Sequence, residues 1–253
     1  MAEPSRPDLP DGTADVWWAR KPDGSDRHAG LLDDVERQRL GRLRTEDDRQ
    51  RFLTGCALAK TVLGRYTGQP AADIRFDRTC GQCGRPHGKP VLTGGQADQD
   101  WVHSVSHSGD LVVVAVARNP VGVDVEQVDR RRGAAGTVRD PDALARMVLS
   151  GAEQAALSAI RPSGRAREFL VAWTRKEAVT KATGDGLSVS FSDVVVAADD
   201  GPPRVLSWPY QRDPAQVSLQ DLETEPGYVG ALAVIGRCET VRPRDGSALL
   251  SAA

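Results

Sequence analysis

The spacing of apolar residues over the first half of the chain predicts two helices and several strands. Residues 33–43 and 47–66 place apolar side chains three and four positions apart, and Gly68 and Pro70 end the second of these segments. Shorter runs, alternating or wholly apolar, predict strands at residues 16–19, 74–76, 101–106 and 111–117. The first half is therefore expected to combine helices with strands.

The second half shows the same mixture of elements. Val121, Val123 and Val125 alternate with small or acidic residues, which predicts a strand. Residues 118–120 are typical of a turn, so this strand is expected to form a hairpin with residues 111–117. Helices are predicted at residues 141–149, 151–160 and 167–183. Further strands are predicted at residues 194–197, 205–208, 217–221 and 228–235.

This order of elements predicts an α+β fold with two related α+β subdomains that meet near residue 120. The predicted subdomains cover residues 15–119 and 120–241. Residues 1–14 and 242–253 are rich in Pro, Gly, Ser, Ala and charge, so both ends are expected to be disordered.

Composition narrows the class of protein. The 253 residues include 33 basic and 35 acidic side chains, so no overall positive field favours nucleic acid. No apolar run approaches the roughly 20 residues that span a bilayer. The polar N-terminus lacks the apolar segment of a signal peptide. These features predict a cytoplasmic protein that binds neither membrane nor nucleic acid. The protein is also expected to be a monomer.

Acidic residues in one predicted strand and one predicted helix suggest a metal site. Alternation places Asp124 and Glu126 on one face of their strand, and Glu177 and Lys181 are four apart on a helix. Carboxylates with a lysine suit a hard divalent cation and a phosphate-bearing substrate. The alternatives are a solvated strand face and a surface ion pair. We favour a magnesium-dependent enzyme acting on a phosphoanhydride.

Two further segments suit phosphate. Ser106-His107-Ser108-Gly109 follows a predicted strand and offers a hydroxyl, an imidazole and backbone amides, whereas Gly88-Lys89-Pro90 places a lysine on a predicted loop. Adjacent strand residues point to opposite faces, so Ser106 and His107 do not form a nucleophile–base pair. Ordinary polar turns are the alternative for both segments.

The four cysteines are expected to be free thiols in a reducing compartment. Cys80 and Cys83 form a C-x-x-C pair with His87 four residues later, which raises the possibility of zinc. A second ligand pair is missing from the sequence pattern, so a glycine-rich turn without metal is the favoured interpretation.

These pieces together resemble the 4′-phosphopantetheinyl transferase superfamily, in its larger type that activates surfactin and other peptide or polyketide synthases. Residues 121–126 (VGVDVE) match the family's strand motif, and residues 173–181 (WTRKEAVTK) match its helix motif. Shorter matches are Gly88-Lys89-Pro90, residues 105–109, residues 184–187 and residues 225–228. The similarity covers roughly residues 30 to 235. It implies two similar α+β subdomains in a pseudo-twofold arrangement, with the active site between them.

The resemblance implies transfer of 4′-phosphopantetheine from coenzyme A to a serine of an acyl, peptidyl or polyketide carrier protein, with release of 3′,5′-ADP. It implies Mg²⁺, with Mn²⁺ as the alternative, bound by Asp124, Glu126 and Glu177. The residues with implied catalytic roles are Glu177 as the base, Lys181 on the pyrophosphate, and His107. The implied coenzyme ligands are Arg51, Lys89, Ser106, His107 and Lys181, with Arg37 or Arg39 assisting Arg51 at the 3′-phosphate.

Two other functions compete with this interpretation: a magnesium-dependent hydrolase of phosphoanhydrides, and a binding module organised by zinc. Arginines at 130–132 and at positions 161, 165 and 167 are expected to dock an acidic carrier, with solvated loops as the alternative. The sequence leaves open which carrier is modified, whether acyl-coenzyme A is accepted, and what Cys80 and Cys83 do.

Overall fold

A computed structural model describes residues 7–81, 83–94, 101–128 and 141–252. The chain forms two compact units, one built from residues 1–120 with 238–253 and the other from residues 121–237. Each unit combines helices with a sheet, which confirms the α+β class. The division after Pro120 lies next to the boundary expected from the sequence. No helix among the described residues has the length and apolarity needed to cross a membrane.

In the part of the first unit that the structure describes, there are a four-stranded sheet, a separate hairpin and three α-helices. Its strands are β1 (Thr13–Arg20), β2 (Arg75–Thr79), β3 (Pro86–Thr93), β4 (Val102–Ser108), β5 (Leu111–Ala117) and β11 (Thr240–Asp245). Its helices are α1 (Asp34–Arg42), α2 (Glu46–Thr67) and α6 (Gly246–Ser251). The sheet order is β11-β1-β5-β4, and β2 pairs with β3 alone. The β11–β1 pair is parallel, whereas the β1–β5 and β5–β4 pairs are antiparallel.

Helix α2 provides much of the core of this unit. It begins at the N-cap Thr45, whose hydroxyl accepts a hydrogen bond from the Asp48 amide, and ends at Gly68 in the left-handed conformation. Its buried face packs with the central strand β5, all seven residues of which are buried. The predicted helix is therefore confirmed, and its apolar stripe covers the sheet.

The predicted disorder of the C-terminal end is wrong. Residues 242–252 form most of β11 and all of α6, and Leu250 is completely buried in the core of the first unit. Arg242 donates hydrogen bonds to the buried Asp15 on β1. The composition of the segment resembles a tail, but pairing with a strand more than 220 residues away supplies its order.

The predicted N-terminal tail also extends too far. Leu9 is buried, and Arg242 donates a hydrogen bond to the Asp8 carbonyl. Residues 1–6 and 253, which were also assigned to the two tails, lie outside the described residues.

The described residues of the second unit form a three-stranded antiparallel sheet, a two-stranded sheet and three α-helices. Its strands are β6 (Val121–Gln127), β7 (Val195–Val196), β8 (Val205–Ser207), β9 (Val217–Asp221) and β10 (Tyr228–Ile235). Its helices are α3 (Pro141–Val148), α4 (Gly151–Ala159) and α5 (Pro162–Thr183). The larger sheet has the order β6-β10-β9, and β7 pairs with β8. Helix α5 packs on this larger sheet and ends at Gly184 in the left-handed conformation.

The predicted hairpin between residues 111–117 and the following strand is wrong. Both edges of β5 are already occupied, by β1 and by β4, so β5 has no free hydrogen-bonding edge for β6. Strand β6 pairs with β10 in the second unit. The turn at Pro120 therefore leads from one sheet to another.

Candidate active site

A close contact between β6 and α5 positions the predicted metal ligands. The side chains of Asp124 and Glu126 lie on one face of β6, because side chains alternate along a strand, and Gly122 leaves that same face bare two residues earlier. A Cβ atom on Gly122 would lie 2.0 Å from the carbonyl oxygen of Ala178 and 2.4 Å from the amide nitrogen of Ala182. Only glycine lets α5 approach the strand this closely. The sequence motif contains this glycine, but periodicity alone gave it no role.

Lys181 on α5 lies against two of the predicted site residues. Its ammonium donates a 2.6 Å hydrogen bond to Oδ1 of Asp124 and lies 3.9 Å from Oε2 of Glu177, one turn earlier on the helix. Asp124 is buried, and the side chains of Glu177 and Lys181 are 18% and 28% exposed. The strand motif and the helix motif therefore meet at a partly buried charged cluster, which we call the acidic cluster: Asp124, Glu126, Glu177 and Lys181.

Mutual electrostatics shift the pKa values within this cluster. Burial raises the pKa of Glu177, the positive charge of Lys181 opposes that rise, and the charge of Asp124 adds to it. Burial alone would lower the pKa of Lys181. The charges of Asp124 and Glu177, the hydrogen bond to Asp124 and the charge of Glu126 outweigh burial, so the pKa of Lys181 is raised. Lys181 therefore stays charged at neutral pH.

The three predicted metal ligands are drawn together less tightly than another group of donors. Among the described residues, the three donors whose ligand atoms lie within 4.8 Å of one another are those of Cys80, Cys83 and His87. In the acidic cluster, the carboxylates of Asp124 and Glu177 contact the ammonium of Lys181. Among the described residues, the arrangement is a partly buried cluster of carboxylates that also contains the ammonium of Lys181.

A buried ion pair that sequence reasoning missed anchors α5. Lys176 is completely buried, and its ammonium donates hydrogen bonds to Oε2 of Glu153 at 2.6 Å and to the carbonyl oxygens of Val148 and Phe191 at 2.9 Å. Oε1 of Glu153 accepts from the Val196 amide. The pair thus links α5 to α4 and β7, one residue before Glu177.

Its signal in the sequence is the Ser150-x-x-Glu153 capping box that begins α4. Arg175 adds a second anchor through two hydrogen bonds, of 2.7 and 2.8 Å, to Asp221. These two neighbours of Glu177 therefore fix the helix that carries it.

In the first unit, Arg51 and His107 lie close to Asp48 at the start of α2. Arg51 donates hydrogen bonds to Asp48 at 2.6 Å and to the carbonyl oxygen of Gly109 at 3.0 Å. The hydroxyl of Thr45 and the guanidinium of Arg51 lower the pKa of Asp48, and the charge of His107 contributes further. Arg51 is thus joined to the turn that follows β4.

The two assisting arginines differ in surroundings. Arg37 is half exposed and pairs at 2.8 Å with Asp34 on its own helix. The guanidinium of Arg39 lies 5.5 Å from the centre of the Phe52 ring on α2. Arg39 thus packs on α2, the helix that also carries Arg51, whereas Arg37 pairs within α1.

Lys89 lies on strand β3, so the predicted loop is wrong here. Burial lowers the pKa of Lys89 to about 8. The glycines and prolines of residues 81–95 are typical of a loop, so the sequence pattern gave no sign of strand β3. Ser106 is buried and His107 is exposed, on opposite faces of β4 as alternation requires.

Of the two arginine groups expected to dock a carrier, the structure describes only the one near the start of α5. Residues 130–132 lie outside the described residues. Arg161, Arg165 and Arg167 are exposed around the start of α5, where Arg165 donates hydrogen bonds to the carbonyl oxygens of Ile160 and Ser158.

Family models match both parts of the chain. Residues 120–233 match the 4′-phosphopantetheinyl transferase superfamily, and residues 17–119 match the N-terminal part of a 4′-phosphopantetheinyl transferase. Together the two matches cover most of the chain, and their border falls at the division between the two units.

Curated proteins give the same result. The chain is 29% identical to the 4′-phosphopantetheinyl transferase HetI of a Nostoc species, over 82% of this chain and 80% of that protein. It is 25% identical to the 4′-phosphopantetheinyl transferase Sfp of Bacillus subtilis, over 81% of this chain and 82% of that protein. The chain therefore belongs to the 4′-phosphopantetheinyl transferase superfamily, in its larger Sfp-like type, and it transfers phosphopantetheine to carrier proteins.

Proposed function

We propose that this transferase takes its phosphopantetheine group from coenzyme A in a magnesium-dependent reaction and releases 3′,5′-ADP. The observation that carries the proposal is the hydrogen bond between Lys181 and Asp124, which joins the two sequence motifs in one cluster with Glu177. The serine hydroxyl of the carrier attacks the β-phosphorus, its bond to phosphorus forms, and the bond from that phosphorus to the bridging oxygen of 3′,5′-ADP breaks.

The residues of the acidic cluster fit a hard divalent cation. Three carboxylates and one ammonium leave an excess of negative charge at a partly buried place, and burial penalises such charge. Carboxylate oxygens are the ligands that Mg²⁺ prefers, and Mn²⁺ accepts the same set. Asp124, Glu126 and Glu177 would hold the ion. When bound, the cation neutralises negative charge that builds up on the pyrophosphate during transfer.

Lys181 binds a pyrophosphate oxygen in this proposal. An ammonium carries three N–H donors, and the structure directs one at Asp124. Its raised pKa keeps the donor charged over the neutral range. A charge-assisted hydrogen bond to an oxyanion is about twice as strong as a neutral one. Lys181 therefore orients the pyrophosphate relative to the carboxylates.

Glu177 accepts the proton of the carrier serine, directly or through a water molecule. Burial raises the pKa of Glu177, the charge of Lys181 opposes that rise, and the charge of Asp124 adds to it. A carboxylate within hydrogen-bond reach of the serine hydroxyl can accept its proton. The hydrogen bonds of Lys176 to Glu153 and of Arg175 to Asp221 fix α5 just before Glu177. Glu177 thus combines proton acceptance with metal binding.

Residues of the first unit bind the coenzyme. We assign Arg51, assisted by Arg39, to the 3′-phosphate, Ser106 and His107 to the other phosphates, and Lys89 to the adenine side. The position of Arg39 next to Phe52 supports it over Arg37, which pairs within α1. Exposure of His107 supports its role as a ligand and as a catalytic contact to phosphate.

The enzyme is proposed to act as a cytoplasmic monomer. Its proposed partners are acyl, peptidyl or polyketide carrier domains, including those of secondary metabolism.

The exposed arginines at the start of α5 would contact the acidic surface of such a carrier. Raising the salt concentration is expected to increase KM for the carrier more than KM for coenzyme A, because salt screens charge attraction between proteins.

The release of 3′,5′-ADP tests this proposal. Purified enzyme is incubated with coenzyme A and Mg²⁺, with and without an apo-carrier protein, and the nucleotide is quantified by chromatography. We expect release only with the carrier, in equal amount to the carrier modified. Release without a carrier would favour the hydrolase, and no release in either case would refute coenzyme A as the donor.

A further inference from the structure

A compact set of metal-binding side chains lies at the turn of the β2–β3 hairpin. The two sulfur atoms of Cys80 and Cys83 and a ring nitrogen of His87 all lie within 4.8 Å of one another. The Sγ of Cys83 is 2.9 Å from Nε2 of His87. Cys80 is partly exposed, and the other two residues are exposed. We call this group the cysteine–histidine triad.

The backbone of the turn is shaped to bring these side chains together. Gly84 adopts the left-handed conformation with φ of +69°, and its amide donates a 2.8 Å hydrogen bond to the Cys80 carbonyl. The Cys80 amide donates in turn to the Arg85 carbonyl at 2.9 Å. Gly88 allows the second strand to pass close by, because a Cβ there would lie 2.9 Å from the Thr79 carbonyl oxygen. The glycines that follow Cys83 and His87 thus permit the geometry of the triad.

We propose that Cys80, Cys83 and His87 bind a zinc ion, separately from the acidic cluster and its magnesium. Thiolate and imidazole ligands select zinc over magnesium and calcium, which prefer oxygen. Two sulfurs and one nitrogen fill three of the four tetrahedral positions, and water completes the set. The ion would cross-link the two strands of a hairpin that pairs with no other strand among the described residues.

The main alternative is a disulfide between Cys80 and Cys83. All four cysteines are free thiols in the structure, and a disulfide would leave His87 without a function in the group. The 2.9 Å contact between Sγ of Cys83 and Nε2 of His87 already brings a thiol and an imidazole ligand together, which a disulfide between the two cysteines would not require.

Metal content of the full-length protein tests the proposal. The protein is purified with a thiol reductant and without chelator, and zinc is measured by elemental mass spectrometry. We expect about one zinc per chain, and a loss of most of it in Cys83→Ser and His87→Ala, since three-ligand zinc sites rarely survive removal of a ligand. Cys56→Ala serves as the matched control, because Cys56 lies on α2 outside the triad, and it should keep its zinc.

Cobalt substitution supplies a readout that needs no variant. Wild-type protein is stripped of metal, and Co²⁺ is added while the ultraviolet absorption is recorded. Binding by thiolates is expected to give a sulfur-to-cobalt charge-transfer band that Zn²⁺ abolishes by displacement. Zinc well below one per chain together with the absence of this band would overturn the proposal, as would equal zinc in wild type and both triad variants.

Discussion

Lys181 shows how one side chain can connect two motifs that lie more than 50 residues apart. Its ammonium is closer to Asp124 than to Glu177, although Glu177 lies on the same helix. An i,i+4 pair on an exposed helix contributes only about 0.3 to 0.5 kcal/mol. The contact with the buried Asp124 on β6 therefore distinguishes Lys181 from an ordinary surface lysine.

Replacing Lys181 with Met tests its role. Because a hydrogen bond to a charged group is worth about 1.5 to 3 kcal/mol, kcat/KM for coenzyme A should fall roughly 10- to 100-fold. Steady-state kinetics separates the effects, since a higher KM indicates ground-state binding and a lower kcat a contact made in the transition state. Arg204→Met, which removes an exposed ion pair with Asp199, is the control and should change neither value. An unchanged Lys181→Met enzyme would leave only a structural ion pair.

His103 on β4 predicts a pH dependence of stability. It is buried against Phe76, and burial, aided by the charges of Lys89 and Arg78, lowers its pKa to about 3. The unfolded chain binds a proton at this histidine below a pH of about 6.5, whereas the folded chain does not. Stability from the neutral histidine is therefore present above that pH and declines as the pH falls towards 3.

Urea unfolding at pH 7 and pH 5 measures this effect. From pH 7 to pH 5, His103 should cost the wild type about 2 kcal/mol of unfolding free energy. The variant His103→Gln has no imidazole to protonate at this position, so its unfolding free energy should fall by about 2 kcal/mol less than that of the wild type between pH 7 and pH 5. Parallel losses in both proteins would contradict a neutral, buried His103.

At the scale of elements, the fit of α5 onto β6 depends on a single missing side chain. Gly122→Ala would place a Cβ against the Ala178 carbonyl and force the helix away from the strand. Overpacking of this kind costs about 1 to 3 kcal/mol, and the shift also separates Lys181 from Asp124. We expect lower stability in urea and lower transfer activity.

The control for Gly122→Ala is Gly151→Ala, because a Cβ at this first residue of α4 meets no atom within 4 Å. It should keep both stability and activity. Full activity of Gly122→Ala would show that the close approach is unnecessary.

The periodicity of this region was sufficient to predict strand β6 and helix α5. The contacts of Lys181 with Asp124 and Glu177 agree with the faces that alternation and four-residue spacing assigned to them. The pairing partner of β6 was mispredicted, because a local turn signal cannot reveal that β1 and β4 already occupy both edges of β5. The burial of Lys176 was also missed, since its partner Glu153 lies 23 residues away on another helix.

At the scale of the whole molecule, the last residues of the chain belong to the first unit. Strand β11 pairs with β1, and α6 inserts Leu250 into the core beside α2. Arg27 donates a 2.9 Å hydrogen bond to the Leu250 carbonyl. Composition could not predict this order, because the contacts that produce it join the two ends of the sequence.

Leu250→Ala tests this arrangement. Removing a fully buried leucine side chain costs about 2 to 5 kcal/mol, so the midpoint of urea unfolding should fall clearly. Leu206→Ala, at a leucine that is 53% exposed, is the matched control and should have little effect. Equal, small effects of both substitutions would indicate a disordered C-terminal end.

The central claim is that Asp124 helps to hold a cation required for transfer from coenzyme A. The most direct measurement is the rate of holo-carrier formation against Mg²⁺ concentration, followed by intact-protein mass, for wild type, Asp124→Asn and the control Asp199→Asn. Loss of charge stabilisation by the ion should cost several kcal/mol, so Asp124→Asn should be slower by on the order of 100-fold or more even at saturating Mg²⁺. Asp199, in an exposed ion pair, should be dispensable. An Asp124→Asn rate within about tenfold of wild type, with an unchanged Mg²⁺ dependence, would contradict the assignment.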